Sequence, residues 1–336
     1  MTIPTPERKT VPIIKIPQPD GSIKEVSFTV QRAQEYWAER ARADIKIYQE
    51  FIYGWQLADH QHEWFEAVQE NDKVLIVSPP GFGKTDWVLG WLSWNIGHKP
   101  WTTNVIASVS EEQAQQRLDA LKMLVQYSDR YKLVFPWVAI DPRKAWSKSA
   151  MNIWDMRMRY THFVQKKLQQ GTQKTHSCFS TSVTGSNLIG NRISGLAIID
   201  DPHDTETAMS AKTRQKVVNW YYGTFSTRII PNMGRSVIIT TRWAEDDLAG
   251  TLLENATTTL KTVTTYAETK DEQGNRKATW EGRFPLSQLD HIINEDGQRR
   301  YDAYYMQRSI FADLLNTTPP LCSTGPPHLG QRSPRL

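Results

Sequence analysis

The sequence predicts an α/β fold: a mostly parallel central sheet, covered by helices on both faces, around a phosphate-binding loop. Three observations predict it. Short apolar runs alternate with helix-length segments, one such run leads into Gly83-Lys84-Thr85 and a helix, and another ends in two aspartates. Taken in order, residues 31–52 are rich in Ala, Glu and Arg and read as helical, as do residues 60–70. Residues 73–78 (KVLIVS) form an apolar run of the kind buried in a sheet, and a helix over 86–95 follows. Residues 104–109 (NVIASV) predict a second strand, followed by a helix over 111–127 with Ser110 as its N-cap. Residues 196–200 and 236–241 (SVIITT) predict two further buried strands. Strands alternating with helices imply a parallel sheet, and such sheets bind ligands at the carboxyl ends of their strands. Each chemical motif falls at one of those ends.

Composition narrows the class. The chain has 336 residues, 39% apolar and 23% charged, enough for a sizeable core and against global disorder. Forty Lys and Arg against thirty-six Asp and Glu give +4, which permits nucleic-acid contact without arguing for it. Two cysteines, Cys178 and Cys322, are too few for a disulfide framework or an all-cysteine zinc cluster. No run approaches a membrane span, and the proline-rich start has no apolar export segment, so the expectation is an intracellular chain with no membrane partner. Prolines concentrate at the ends, five in residues 1–20 and five in 312–336. The expected organisation is an N-terminal arm and helix over 1–45, one nucleotide-binding domain over 46–311, and a disordered Pro-rich tail over 312–336.

The run Ser78-Pro79-Pro80-Gly81-Phe82-Gly83-Lys84-Thr85 sits between strand and helix. Glycines let the backbone turn its N–H groups toward phosphate oxygens, and the helix adds its positive N-terminal end. Lys84 is placed to reach the β- and γ-phosphates, and the Thr85 hydroxyl to ligate Mg²⁺. The full Walker A pattern asks for glycine where Ser78 stands, so the match is incomplete. A bare Gly-Lys-Thr also occurs in ordinary loops; the flanking strand and helix are what favour phosphate binding. Trp87, Trp91 and Trp94 recur at helical spacing on the next helix and read as one apolar packing stripe.

The strand ending Ile199-Asp200-Asp201-Pro202 offers paired carboxylates. Asp200 is assigned to the metal and Asp201 to orienting or deprotonating the attacking water, the other reading being a solvated Asp/Pro turn. A third strand end, Thr240-Thr241-Arg242-Trp243, is polar and can sense whether a γ-phosphate is present, or be an ordinary turn.

Taken in order, Pro79 to Thr85, Ile199-Asp200-Asp201-Pro202-His203, and Thr241-Arg242-Trp243 with Glu245-Asp246-Asp247-Leu248-Ala249-Gly250 resemble the large terminase subunit of tailed phages. Gly190-Asn191-Arg192, Trp280-Glu281-Gly282-Arg283-Phe284-Pro285-Leu286 and residues 301–308 (YDAYYMQR) add to the likeness, which spans about residues 55–311. The resemblance implies a RecA-like P-loop ATPase, with ATP and Mg²⁺, that forms a homo-oligomeric ring on the portal protein at the procapsid vertex in the host cytoplasm. It implies that ATP hydrolysis drives double-stranded DNA into the procapsid, with a small terminase subunit as partner. Gly81, Phe82, Gly83, Lys84 and Thr85 then hold the phosphates, Thr240, Thr241 and Arg242 match the coupling motif, and Gln61 is the candidate for adenine.

The sequence departs from that family in three places. Relatives often carry a phosphate-loop arginine near Pro80; here Arg192, in cis or from a neighbouring subunit, is the candidate to replace it. Asp201 stands where many ATPases have glutamate. Whole large terminases continue into a nuclease domain, whereas only 25 residues with one acid, Asp313, follow Phe311, so no nuclease activity is expected of this chain. Residues 156–176 hold Arg157, Arg159, Lys166, Lys167 and Lys174 without an acid, interleaved with Tyr160 and Phe163. That stripe is a candidate for non-specific DNA contact, or else a solvated helix face. The alternatives are a catalytically weak terminase fragment that docks on DNA or portal, or another P-loop DNA translocase.

Overall fold

The computed structural model describes residues 13–17, 22–27, 30–170, 176–255 and 259–308. The expected tail over 312–336, most of the N-terminal arm and Lys174 lie outside them. Among the described residues no helix is long and apolar enough to cross a membrane.

The centre is a seven-stranded sheet. Its strands run in the order Lys261–Thr264, Lys73–Val77, Arg235–Thr240, Leu196–Asp200, Asn104–Ser108, Cys178–Ser182, Ala150–Met151. Every neighbouring pair is parallel except the last. The four strands expected from apolar runs are thus the four adjacent central ones. They are apolar throughout because both faces are covered. Val74, Ile76, Ile106, Ile198, Val237 and Ile239 pack on one side, while Leu75, Val77, Val105, Ala197, Ile199 and Ile238 pack on the other. Alternation along a strand therefore sends neighbouring residues into two separate cores.

Two flanking strands were not expected. Cys178–Ser182 (CFSTS) and Lys261–Thr264 (KTVT) carry few apolar residues, yet Ser180 and Thr181 are fully buried. Pairing with Asn104–Ser108 and Lys73–Val77 supplies the backbone hydrogen bonds that hold them in place.

The first core lies under the N-terminal helices. The single helix expected over 31–52 is two, Val30–Ala43 and Ile45–Tyr53, because the Asp44 carboxylate caps the second by accepting from Lys46 N (2.7 Å) and Ile47 N (3.4 Å). The tryptophan stripe packs here: Trp87 meets Trp64 edge-on at 5.4 Å and Phe65 at 4.9 Å, and Trp94 Nε1 donates to Ala41 O. Ser110 caps Glu111–Tyr127 as expected, accepting from Gln113 N. Near the N-terminus, Ile13–Pro17 pairs antiparallel with Ile23–Ser27.

Register is what positions the chemistry. Thr240 pairs with Val77, Ile239 with Asp200, and Ser108 with Asp200. The central strands therefore end level, and Ser78, Thr241 and Asp201 emerge side by side at one edge of the sheet.

Candidate active site

The candidate phosphate loop, residues 78–85, leaves the strand Lys73–Val77 through Ser78. Ser78 N still donates to Thr240 O (3.0 Å), so this residue continues the parallel ladder with an ordinary φ and needs no glycine. The turn itself falls on Gly81 and Gly83, with φ of 77° and 80°. Both are also hemmed in. A Cβ on Gly81 would sit 2.9 Å from the Phe284 ring, and one on Gly83 would sit 2.7 Å from Gln61 Nε2. Gly83→Ala combines a left-handed backbone with that clash. It is expected to cost about 1–3 kcal/mol of stability, read as a lower midpoint in urea denaturation. Phe82, fully buried, stacks on Phe284 at 4.9 Å and packs on His60 and Trp280, which pins the loop.

Gly83 opens the helix Lys84–His98, and Lys84 turns back under the loop. Its Nζ donates to Ser78 O (3.0 Å), Pro79 O (2.9 Å) and Thr241 Oγ1 (3.0 Å). Burial lowers its pKa, and the charges of Asp201 and Asp200 oppose that shift. Thr85 Oγ1 donates to both oxygens of Asp200, at 3.2 and 3.0 Å. Residues 115 positions apart in sequence thus touch because their strands end in register.

Asp200 is fully buried, and Arg117 Nε donates to its Oδ2 at 2.8 Å. Nothing in the sequence singled out Arg117, which lies mid-helix in Glu111–Tyr127. Asp201 has φ of 47°, a left-handed conformation that aspartate tolerates better than most residues. Its backbone is held by ladder bonds on both sides, N to Ile239 O and O from Val109 N, and its Oδ1 accepts from Thr241 N at 3.3 Å. Burial pushes its pKa up to about 6, against the pull of Lys84 and with the push of Asp200.

A cavity of about 420 Å³ is bordered by Gly81, Lys84 and Thr85 of the loop and by Asp201, His203 and Thr241, with Asp200 and Arg117 outside its lining. A second cavity of about 380 Å³, lined by Gln61, Trp55, Leu57 and Trp280, adjoins it; Gly83, Asp86 and Arg283 belong to both. His203, Trp280 and Arg283 lay in motifs quoted above, but no chemistry was attached to them. Trp280 and Arg283 arrive through the packing of residues 280–284 over the loop, and His203 through the turn after the strand Leu196–Asp200.

Several expected residues sit differently. Gln61 borders the second cavity, but its amide is already engaged: Oε1 accepts from Ala58 N (3.1 Å) and Nε2 donates to Phe82 O (3.4 Å). It ties its helix to the loop. Of the coupling residues, Thr241 reaches Lys84, whereas Thr240 is buried with its hydroxyl on Thr241 O, and Arg242 N is held by Gln307 Oε1. Neither Thr240 nor Arg242 borders the cavity. Arg192 is corrected outright as a cis residue. It precedes the strand Leu196–Asp200 at the amino end, opposite the site, and its Nη1 donates to Thr227 O. Of the basic stripe, Arg157 and Arg159 are exposed, and several members have neighbours within the chain. Lys167 is buried on Ser177 Oγ (2.9 Å), Phe163 is buried, Arg157 pairs with Asp155 (2.7 Å), and Lys166 lies over the Trp101 ring.

No protein-family model and no curated protein matches the chain. Solved structures do. A mutant ATPase domain of the large terminase from Thermus phage P74-26 aligns with a TM-score of 0.54 at 11% identity, over 77% of this chain and 96% of that one. The large terminase of bacteriophage HK97 gives 0.42 at 16% identity, over 70% of this chain and 45% of that one. The large terminase of a thermophilic bacteriophage in complex with ADP gives 0.39 at 10% identity, over 73% and 49%. This chain spans less than half the length of those last two proteins. The first likeness bears on the fold alone: a mixed α/β architecture with a mostly parallel central sheet flanked by helices, similar to that terminase ATPase domain in overall arrangement.

Proposed function

We propose that the chain is an Mg²⁺-dependent ATPase and the motor subunit of a phage terminase, moving double-stranded DNA into a procapsid. The observation that carries this reading is the meeting of three strand ends at one cavity: Lys84 and Thr85 from the loop, Thr241 from the strand beside it, and Asp201 from the next, with Asp200 buried behind the lining on Thr85. Loop amides and Lys84 hold the phosphates, and the adjoining aromatic-walled cavity receives the base beside Trp280 and Gln61.

The residues fit a magnesium ion. A hydroxyl and a carboxylate already hydrogen-bonded at a strand tip are hard oxygen donors, and magnesium takes one or two carboxylates plus substrate phosphates rather than a full protein cage. Thr85 and Asp200 would hold it, and the bound ion would neutralise charge on the phosphate oxygens. Asp201, with its raised pKa, accepts the proton of the attacking water. Arg117 orients Asp200 through its Nε–Oδ2 bond. The transition-state arginine comes from a neighbouring copy in a ring, with Arg192, exposed on the far side of the sheet, as its candidate. Portal protein and small terminase subunit are the further partners in this reading, and the procapsid vertex in the host cytoplasm its place of action.

Phosphate release from ATP, with and without duplex DNA, tests the proposal. The expected result is Mg²⁺-dependent release that duplex DNA raises and added salt reduces. Release that duplex DNA leaves unchanged across the salt range would remove the motor reading, and no release in either condition would remove the ATPase reading.

A further inference from the structure

One arginine stands where the two cavities meet, with its charge uncommitted. Arg283 is exposed and lines both of them, together with Gly83 and Asp86. Its guanidinium carbon lies 5.2 Å from the centre of the Trp280 ring, a wall of the second cavity, and 6.0 Å from that of Phe284. Among the described residues that guanidinium has no carboxylate partner and makes no hydrogen bond. Arg117, by contrast, is committed to Asp200 and Arg214 to Asp246.

The turn that carries Arg283 is fixed to the candidate phosphate loop. Arg283 N and Phe284 N both donate to Trp280 O, the Phe284 ring stacks on Phe82 at 4.9 Å, and Trp280 meets Phe82 edge-on at 5.9 Å. These ring contacts locate the arginine while its five N–H donors stay available. Asp86 shares the junction. Burial raises its pKa and the charge of Arg283 opposes that rise, so the field of the cation reaches across the space between the cavities.

Covalent order decides what a ligand brings there. A nucleotide with its base in the second cavity and its terminal phosphates beside Lys84, Thr85 and Asp201 must pass the junction with its ribose and α-phosphate. Of those two groups the α-phosphate carries the charge, and a planar guanidinium fork matches its oxygens. Building on the ATPase reading above, we infer that Arg283 holds the α-phosphate of the bound nucleotide. It offsets the negative charge that Asp86 brings to the same place. The contact is indifferent to the terminal phosphate, so Arg283 sets affinity for nucleoside di- and triphosphates alike.

Arg283→Met keeps most of the apolar stem over Trp280 and removes the charged head. The experiment measures Kd, with Mg²⁺, on the full chain and on Arg283→Met. The ligands are ADP, a slowly hydrolysed ATP analogue, and ADP carrying sulfur in place of one oxygen on either the α- or the β-phosphate. Thermal midpoints without nucleotide are taken on the same preparations. Arg283→Met is expected to weaken ADP and the triphosphate equally, by about 10- to 100-fold, the range for hydrogen bonds to a charged group, with its midpoint near wild type. Sulfur on the α-phosphate is expected to weaken binding to the wild type more than to the variant, whereas sulfur on the β-phosphate costs both the same. An α-sulfur penalty identical in the two proteins, a loss confined to the triphosphate, or no loss at all overturns the inference. In each of those cases the wild type still binds both nucleotides. A wild-type chain that binds neither sinks the ATPase reading, and this inference with it.

Discussion

Lys84→Ala is expected to lower ATP turnover by about 100- to 1,000-fold or more, the usual cost of removing one preorganised donor from developing charge. The ammonium is buried against two loop carbonyls and Thr241, so no solvent-borne cation replaces it. The fold should survive. Alanine is the best helix former at the start of Lys84–His98, and Ser78 O keeps its bond from Thr241 Oγ1 (3.1 Å). Pro79 O is left to find another donor, which costs about 1–3 kcal/mol if it finds none. Phosphate release and a thermal melt on the same preparation check both halves. A folded Lys84→Ala protein with undiminished turnover would remove Lys84 from the chemistry.

Asp201→Asn is expected to reduce turnover by about 100- to 10,000-fold while nucleotide still binds, because the change removes a base and little else. Asparagine tolerates the left-handed backbone at this position and keeps an oxygen for Thr241 N. The wild-type protein should show the matching pH dependence. With its pKa raised to about 6, Asp201 is protonated below that value, so turnover falls as the pH drops through it. Stability moves the opposite way. The folded chain holds this proton at pH values where the unfolded chain has released it, so the contribution is complete below the ordinary aspartate range and is lost as pH rises through about 6. Asp201→Asn should flatten that slope. Rates from pH 5 to 8, with denaturation midpoints over the same range, test the assignment; an unchanged slope in the variant would refute it.

Legibility followed burial. Four central strands could be read because each is buried on two faces, which leaves an uninterrupted apolar run. The flanking strands Cys178–Ser182 and Lys261–Thr264 could not, since neighbours supply their hydrogen bonds and their own residues look like loop. Arg157 pairs with Asp155, two residues earlier and just outside the acid-free window 156–176, whereas the burial of Lys167 on Ser177 Oγ depends on packing that the linear stripe does not show. Arg192 was placed by its neighbours in sequence, and the direction of the strand it precedes put it on the wrong edge of the sheet.

The sequence by itself determined the α/β class, the glycine-bearing turn between strand and helix and the paired aspartates at a strand end, because each is a local pattern of apolar period, glycine placement and strand-end charge. Tertiary structure alone decided which groups share the cavity. Parallel register levels three strand ends, so that Thr85 meets Asp200 and Thr241 meets Lys84. It also brought in Arg117, His203 and Arg283, whose approach depends on packing between distant segments and leaves no mark on the residues next to them in the chain.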